Sequence, residues 1–557
     1  MKKWTKIMAL ALALAMVMSV VAFADAEDDI MTPYGAYPET VTMTTVIRSD
    51  TNPQWSPGDD RDNNPLTRYI LEKINVQTKT LWESENYTEK LNLDIVADSL
   101  PDMWTLDPDD YLIYKMLLEN GMLADLTEAY DKCANWYMRE TAESFDYLHF
   151  EPYTEDGKLM AIPQGRYGYE HNLFWVRSDE LEKAGMTADD IKTIDDIEKL
   201  LINIHEADPD VIPMALNATD PLTYYGATYS ADPIAEVYGC TPRMWVKQDD
   251  GSITWGSLMP GMKTALTILA DWYEKGLIDK EFATRTANGQ TDAIVQGGEA
   301  VAYFAPWWYG WTADDYILEA SKDENGEYLP DGPVCEWVIV NAPLDDNGVF
   351  NAPWPTVSGV TLFVNAKCPT PEAAVKIFNT EYDIFRGWDK DAKAILDADA
   401  NADLGGLRNV GWKYLLPTGG VNMEYADVVP RYGHGLADFM NSNGEDTSGL
   451  KESEIKGAEE TLEYRKDDWT YNYGTYICRE VASCLTDAPE VNFVYNAFSG
   501  VTENMADLQP SLLTLEETFV LQVIMGERPV DDFDDFVNQW LAEGGQTLID
   551  EVTAMVG

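Results

Sequence analysis

Over residues 41–390, short apolar runs with strand-like alternation are separated by helical segments of ten or more residues. Nothing else in the chain limits its fold as strongly. Such alternation builds βαβ units and α/β lobes rather than a bundle or a sandwich. "VTMTTVIRS", from Val41, alternates with a period of two and reads as a strand. "LTRYILEKIN" brings Leu66, Tyr69, Ile70 and Ile74 to one helical face. "LNLDIVADSLPDMWTLD" reads as a strand and a turn ending at Trp104. Ser178 is placed to cap a helix, and a second runs from Thr193 or Asp195 to about His205. "GMKTALTILADWYEKGLI" is amphipathic, with Leu266, Leu269, Trp272 and Tyr273 on its apolar side and a stop at Gly276. From about residue 400 the chain reads as mainly helical, with "NSNGEDTSGLKESEIKG" as a surface loop.

A chain of 557 residues is too long for one ordinary domain. The formal charge of −58 excludes whole classes of partner. Such a surface repels nucleic acid and anionic lipid, and it keeps an exported protein in solution.

The first 24 residues read as an export signal. Lys2, Lys3 and Lys6 form its positive start, and Ile7 to Val21 is an apolar core too short for a membrane span. "AFA", ending at Ala24, is a cleavage site, and residues 25–40 read as an acidic tether. No cysteine stands near that site to take a lipid. The six cysteines show no CxxC pair and the four histidines no HxxH or HxxxH pair, so no metal or cofactor is expected.

Phosphate loops, GxGxxG fingerprints and the GxSxG elbow are missing from the sequence. Carboxylates are too plentiful for any pair to single itself out, and no catalytic residue is assigned. Aromatic residues are the enriched class, with 18 Trp, 30 Tyr and 16 Phe. Trp82, Trp136, Trp272 and Trp540 sit in helical patterns and are expected in cores. Trp55, Trp104, Trp307, Trp308, Trp311 and Trp354 instead stand beside Pro, Gly or Asp, where strands break into loops. In open α/β sheets that is where ligands bind, and an indole face stacks on the C–H face of a sugar. "EAVAYFAPWWYGW", residues 299–311, is the densest case.

The order of segments now becomes informative. "DNNPLTRYILEKIN", "SLPDMW", "DGKLMAIPQ", "LFWVRSDELEKAGM", "TIDDIEKLL", "GEAVAYFAPWW", "SGVTLFVNAKCPTPEAAVKIFN" and a closing "VIMGERPVDDFDDFVNQWLAEGGQTLIDEV" follow one another. Together they resemble the extracellular solute-binding proteins (family 1) of carbohydrate ABC importers, in particular their long, Gram-positive, lipoprotein-type branch. The chain departs from that branch at the signal, where Ala and Asp stand in place of a lipobox cysteine.

The resemblance implies an α/β, two-lobe, periplasmic-binding-protein-like type II fold with hinge strands and a helix-rich C-terminal part. Residues 41–168 and 361–470 would form lobe 1, and 169–360 and 471–557 lobe 2. The chain would cross near "AIPQGRYGYE" and again near "SGVTLFVNA". Trp307 and Trp308 would be a stacking platform on lobe 2, with Trp104 opposite on lobe 1; Trp311, Trp354, Trp55 and Arg177 are further candidates, and Arg243 a weaker one. The implied activity is capture without chemistry. An oligosaccharide would be held between the lobes by a monomeric binder and delivered to a membrane permease. The rival reading is a secreted glycoside hydrolase, which also uses aromatic clefts and paired carboxylates.

Overall fold

Asn64 opens the first helix in a way its sequence dictates. Its side-chain oxygen accepts from the N–H groups of Leu66 and Thr67, Thr67 bonds back to it, and Pro65 takes the first helical position. In this computed structural model the described residues are 30–48, 58–386 and 423–556, with 391, 394 and 418. Short breaks fall at 220, 224–226, 249, 286–287, 331, 466–467 and 488–490. The export signal, Trp55 and part of the tether lie outside the described residues. The chain divides into two compact units: Met1–Arg166 with Ser358–Ala426, and Tyr167–Val357 with Asp427–Gly557.

In unit 1 the strands Val41–Arg48 and Val76–Ser84 pair in parallel, and the helix Pro65–Ile74 lies in the crossover between them. That is the βαβ unit the alternation predicts. A second sheet orders Met103–Leu106, Ser358–Val364 and Ile162–Gly165 antiparallel, with Ser358–Val364 in the middle. Asp102 ties the two sheets together by accepting from both the N–H and the hydroxyl of Thr44. The core lies between these strands and the helices Pro65–Ile74, Thr127–Cys133 and Glu372–Arg386.

Two readings of unit 1 change. "LNLDIVAD" is not a strand; Tyr87–Val96 is a helix. Its buried residues Tyr87, Leu91 and Ile95 are four apart, whereas Leu93 and Val96 face solvent. The alternation of Leu91, Leu93 and Ile95 is therefore incidental to the packing. Residues 30–40 are also no free tether. Asn379 donates to the Pro33 carbonyl at 2.9 Å and Lys376 to that of Gly35 at 3.0 Å. Tyr34 and Tyr37 donate to Asp383 and Glu372.

Unit 2 is built on an antiparallel sheet, Ala302–Ala305, Leu173–Arg177 and Trp337–Val340, with Leu173–Arg177 central. The central strand LFWVR is buried throughout, as a strand covered on both faces must be. Phe350–Trp354 pairs in parallel with Val491–Tyr495, a strand within the part of the chain read as helical. The helix Pro260–Lys275 ends on Gly276 in the left-handed region and packs on the long helix Met505–Ile524. Thr193 caps Ile194–Ala207. Arg177, not Ser178, is the cap residue of Ser178–Lys183, and the Ser178 hydroxyl accepts from the Glu336 N–H instead.

Residues 427–470 were expected in lobe 1 and lie in unit 2. The reason is packing: the helix Val428–Asn441 lies on Tyr476–Ala482, and Val429 joins the same core as Tyr303 and Ile477. The last six residues of the expected surface loop, 452–457, are also helix, part of Glu452–Arg465.

Candidate functional site

The strand Ala302–Ala305 runs fully buried into Pro306, whose extended backbone ends the strand. Trp307–Tyr309 then form one 3₁₀ turn, and the helix Gly310–Ala320 follows. The turn splits its aromatic side chains by role. Trp307 is 4% exposed and packs inside the unit 2 core. Trp308 is half-buried at the rim of that core, and Trp311 is 44% exposed.

The turn is held by a π-helical stretch, Tyr476–Ala482. Such stretches are rare and gather at functional sites. This one presents Arg479, whose guanidinium lies 4.4 Å from the Trp307 centroid, 5.5 Å from Trp311 and 5.2 Å from Tyr432. Trp307 meets Trp311 edge-to-face at 5.6 Å, and the Trp311 indole N–H donates to Thr475. Gly310 makes this approach possible, because a Cβ there would stand 2.6 Å from Ile477 Cγ1. Asp314, on the helix after the turn, is pushed up to about 6 by burial and then by the charge of Asp315.

Behind Trp308, Tyr309 donates to Asp292 at 2.6 Å and Tyr229 donates to the same oxygen at 2.8 Å. The two hydroxyls also meet each other. Tyr229 holds a left-handed backbone (φ 63°), as does Tyr169 (φ 64°). For bulky side chains such backbones cost about 1–3 kcal/mol each and are found where surrounding structure enforces them, often at functional sites. Tyr169 packs against the Trp307 core and meets Phe493 edge-to-face at 4.9 Å. Phe493 in turn lies 4.8 Å from Trp354, which stacks on Tyr495 at 5.4 Å. Tyr495 is 45% exposed. The aromatic face of unit 2 is thus Trp308 and Trp311; Trp354, also expected at the site, is only 5% exposed, buried against Phe493 and Tyr495.

Other candidates go elsewhere. Trp104 is 1% exposed in unit 1, stacked on Phe363 at 6.2 Å, and shows no face to a ligand. The strand ends that suggested a loop lie inside a sheet, so the ring points into the core. Arg177 is buried as well. It donates to Asp179, Glu180 and the Gly298 carbonyl and covers the Tyr316 ring, so its charge is spent within unit 2. Arg243 likewise pairs with Glu516 and Glu517. Trp136, expected in a core, is 52% exposed at the first position of its helix. Arg479, Asp292, Tyr229, Tyr169 and Tyr495 escaped the sequence reading, since no motif marks them and only the fold brings them to the indoles. All six cysteines are free thiols. Among the described residues no group of three or more His, Cys, Asp or Glu is placed to hold a metal, and no helix is long and apolar enough to cross a membrane.

No family model matches the chain. A carbohydrate ABC transporter substrate-binding protein of Streptococcus pneumoniae is 26% identical over 180 residues, 32% of this chain. The match spans 33% of that relative's length. Lipoprotein LipO of Bacillus subtilis is 22% identical over 530 residues, 90% of this chain and 91% of that one. Among solved structures, the S. pneumoniae ABC-transporter substrate-binding protein FusA, an EF-hand mutant in complex with fructo-nystose, superposes with a TM-score of 0.52. It is 15% identical, and the superposition covers 92% of this chain and 98% of that one. The chain has the two-lobe, periplasmic-binding-protein-like α/β fold.

Proposed function

We propose that the protein is the solute-binding component of a carbohydrate ABC importer of the family 1 type, exported and signal-cleaved near Ala24. It captures a neutral oligosaccharide on the aromatic face of unit 2 and hands it, chemically unchanged, to a membrane permease. The observation that carries this is the exposed indole of Trp311, held by Arg479 and set edge-to-face on the buried Trp307, with the half-buried Trp308 in the turn just before it. Rigid rings on a pinned turn suit stacking on sugar C–H faces, and Asp292 is at hand as an acceptor for hydroxyls. The relatives support the reading. One is named a carbohydrate ABC transporter substrate-binding protein, and FusA was solved with fructo-nystose. The formal charge of −58 disfavours anionic sugars at long range.

Two or three stacked rings with hydrogen bonds correspond to a micromolar dissociation constant, about 8 kcal/mol. Purified protein is screened by thermal shift against neutral oligosaccharides, and the best sugar is titrated by calorimetry. A saturable micromolar affinity with no reducing ends released after long incubation is the expected result. Turnover of the sugar would move the protein to the glycoside hydrolases. An affinity untouched by Trp308→Ala would remove the site.

A further inference from the structure

A buried acid pair in unit 2 stands apart from the aromatic face yet is joined to it. Asp232 and Glu236 lie one turn apart on the helix Asp232–Val237, and both are 0% exposed. Asn172 donates to Asp232 Oδ1 at 2.7 Å. No N–H or O–H of the described residues donates to Asp232 Oδ2 or to either oxygen of Glu236. The helix packs on Phe350–Trp354, which carries no titratable group, and on Pro260–Lys275, whose buried residues (Gly261, Met262, Ala265, Leu266, Leu269 and Trp272) are all uncharged. The titratable neighbours are the His171 ring, packed on Phe350 and held neutral by burial, and the Cys240 thiol, raised by burial and then by Glu516 and Glu236. Neither is a cation at neutral pH. Two full negative charges in such a place would go unpaired at a cost of several kcal/mol.

The same cluster organises the loop ahead of the helix. Besides Asp232, Asn172 donates to the carbonyls of Ala227 at 3.0 Å and Ser230 at 3.4 Å. Ser230 Oγ accepts from the N–H of Asp232 at 3.4 Å and from that of Thr223 at 3.1 Å. Between these ties sits Tyr229, left-handed, its N–H on the Phe304 carbonyl and its hydroxyl on Asp292.

We propose that Asp232 and Glu236 share a single proton as a carboxyl–carboxylate pair, and that losing this proton loosens the 227–232 loop that positions Tyr229 against Tyr309, the residue after Trp308. In the shared state Glu236 donates its O–H to Asp232, and Asp232 keeps one oxygen for Asn172. Ionisation removes the donor and sets two carboxylates against each other. Burial drives both acids upward, Asp232 to about 7, with the Asp232 charge adding to the rise at Glu236. A group with a raised folded pKa stabilises the fold at low pH and loses that contribution as pH rises through the folded value. The device therefore weakens in alkaline solution.

The test uses no sugar, so it stands or falls separately from the proposed function. Thermal and denaturant unfolding of the wild type and of Glu236→Gln, a neutral mimic of the protonated acid, are followed from pH 5 to 9. The unfolding constant of the wild type relative to the variant is expected to rise by at least about tenfold across that range, the equivalent of one pKa unit of linkage. Hydrogen exchange at Tyr229 and Ala231, corrected for intrinsic rates, is expected to quicken with pH in the wild type and not in the variant. If Glu236→Gln does not fold, the infrared carbonyl band of a buried protonated carboxyl decides in the Glu381→Gln background, where the buried acid of unit 1 cannot contribute, present at pH 6 and lost by pH 10. Parallel pH profiles in the two proteins, or absence of that band at pH 6, would overturn the proposal.

Discussion

The Arg479 guanidinium lies 4.4 Å from the centre of the Trp307 indole, and the same group reaches Trp311 at 5.5 Å. Trp307 is a buried ring whose indole N–H finds no acceptor among the described residues, and the Arg479 cation lies over its face. A half-buried cation–π contact of this kind contributes about 1–2 kcal/mol. Arg479→Met should lower unfolding stability by that order and change the tryptophan emission. Arg479→Lys should recover only part of it, because a compact ammonium does not lie flat on two indoles as a planar guanidinium does. Denaturant unfolding followed by fluorescence checks both; full recovery by Lys would mean that charge alone matters.

Trp308 and Trp104 separate binding from folding. Trp308→Ala should weaken oligosaccharide affinity by about 1–3 kcal/mol, on the scale measured for single stacking rings, with little change in melting temperature. Trp104→Ala empties a core site against Phe363 and should cost about 3–5 kcal/mol of stability. The sugar affinity of whatever remains folded should be unchanged. Calorimetry and thermal melts on the two variants check this, and the reverse pattern would return Trp104 to the site.

That exchange marks how far the sequence could be read. The 299–311 stretch was legible because a strand of small residues meeting Pro306 must end there, and four aromatic side chains follow at once. The parallel pair around Pro65–Ile74 and the Thr193 cap were legible for equally local reasons. Trp104 and Trp136 came out reversed. Proline and aspartate near Trp104 do mark chain breaks, but its own strand pairs with Ser358–Val364, some 250 residues away in sequence. The helical pattern around Trp136 is real, yet the ring falls at the helix start, outside the packed face. Arg479 and Asp292 were invisible for a related reason. Each is one charge among many, and only tertiary packing places it under an indole or a tyrosine hydroxyl.

Residues 30–37 act as a strap on unit 1. Tyr37 is 7% exposed and donates to Glu372 at 2.6 Å, and the fully buried Lys376 lies 4.0 Å above its ring while donating to Gly35. Tyr37→Phe removes a hydrogen bond to a charged partner and should cost about 1.5–3 kcal/mol. Lys376→Ala should cost more, because the strap loses both its carbonyl donor and the cation on Tyr37. Limited proteolysis should then cut at residues 30–40 well before the rest of the chain, which the wild type should resist. Equal cleavage rates would show that the strap is not held by these contacts.

Glu381 gives unit 1 a pH dependence of its own. It is 0% exposed on the helix Glu372–Arg386 and accepts from the N–H and the hydroxyl of Thr418. Burial raises it to about 8, against which those two hydrogen bonds pull downward. The folded value exceeds the unfolded one, so its contribution is whole below the ordinary glutamate range and is lost as pH rises through about 8. Glu381→Gln keeps an acceptor for Thr418 and cannot ionise. At pH 5 the variant should melt close to the wild type; at pH 9 it should melt higher. Melts of Glu236→Gln and the double variant place the two effects in separate units, where they should add because the sites share no partner. A Glu381→Gln melting difference that stays flat from pH 5 to 9 would mean that Glu381 remains ionised in the fold, with Thr418 outweighing burial.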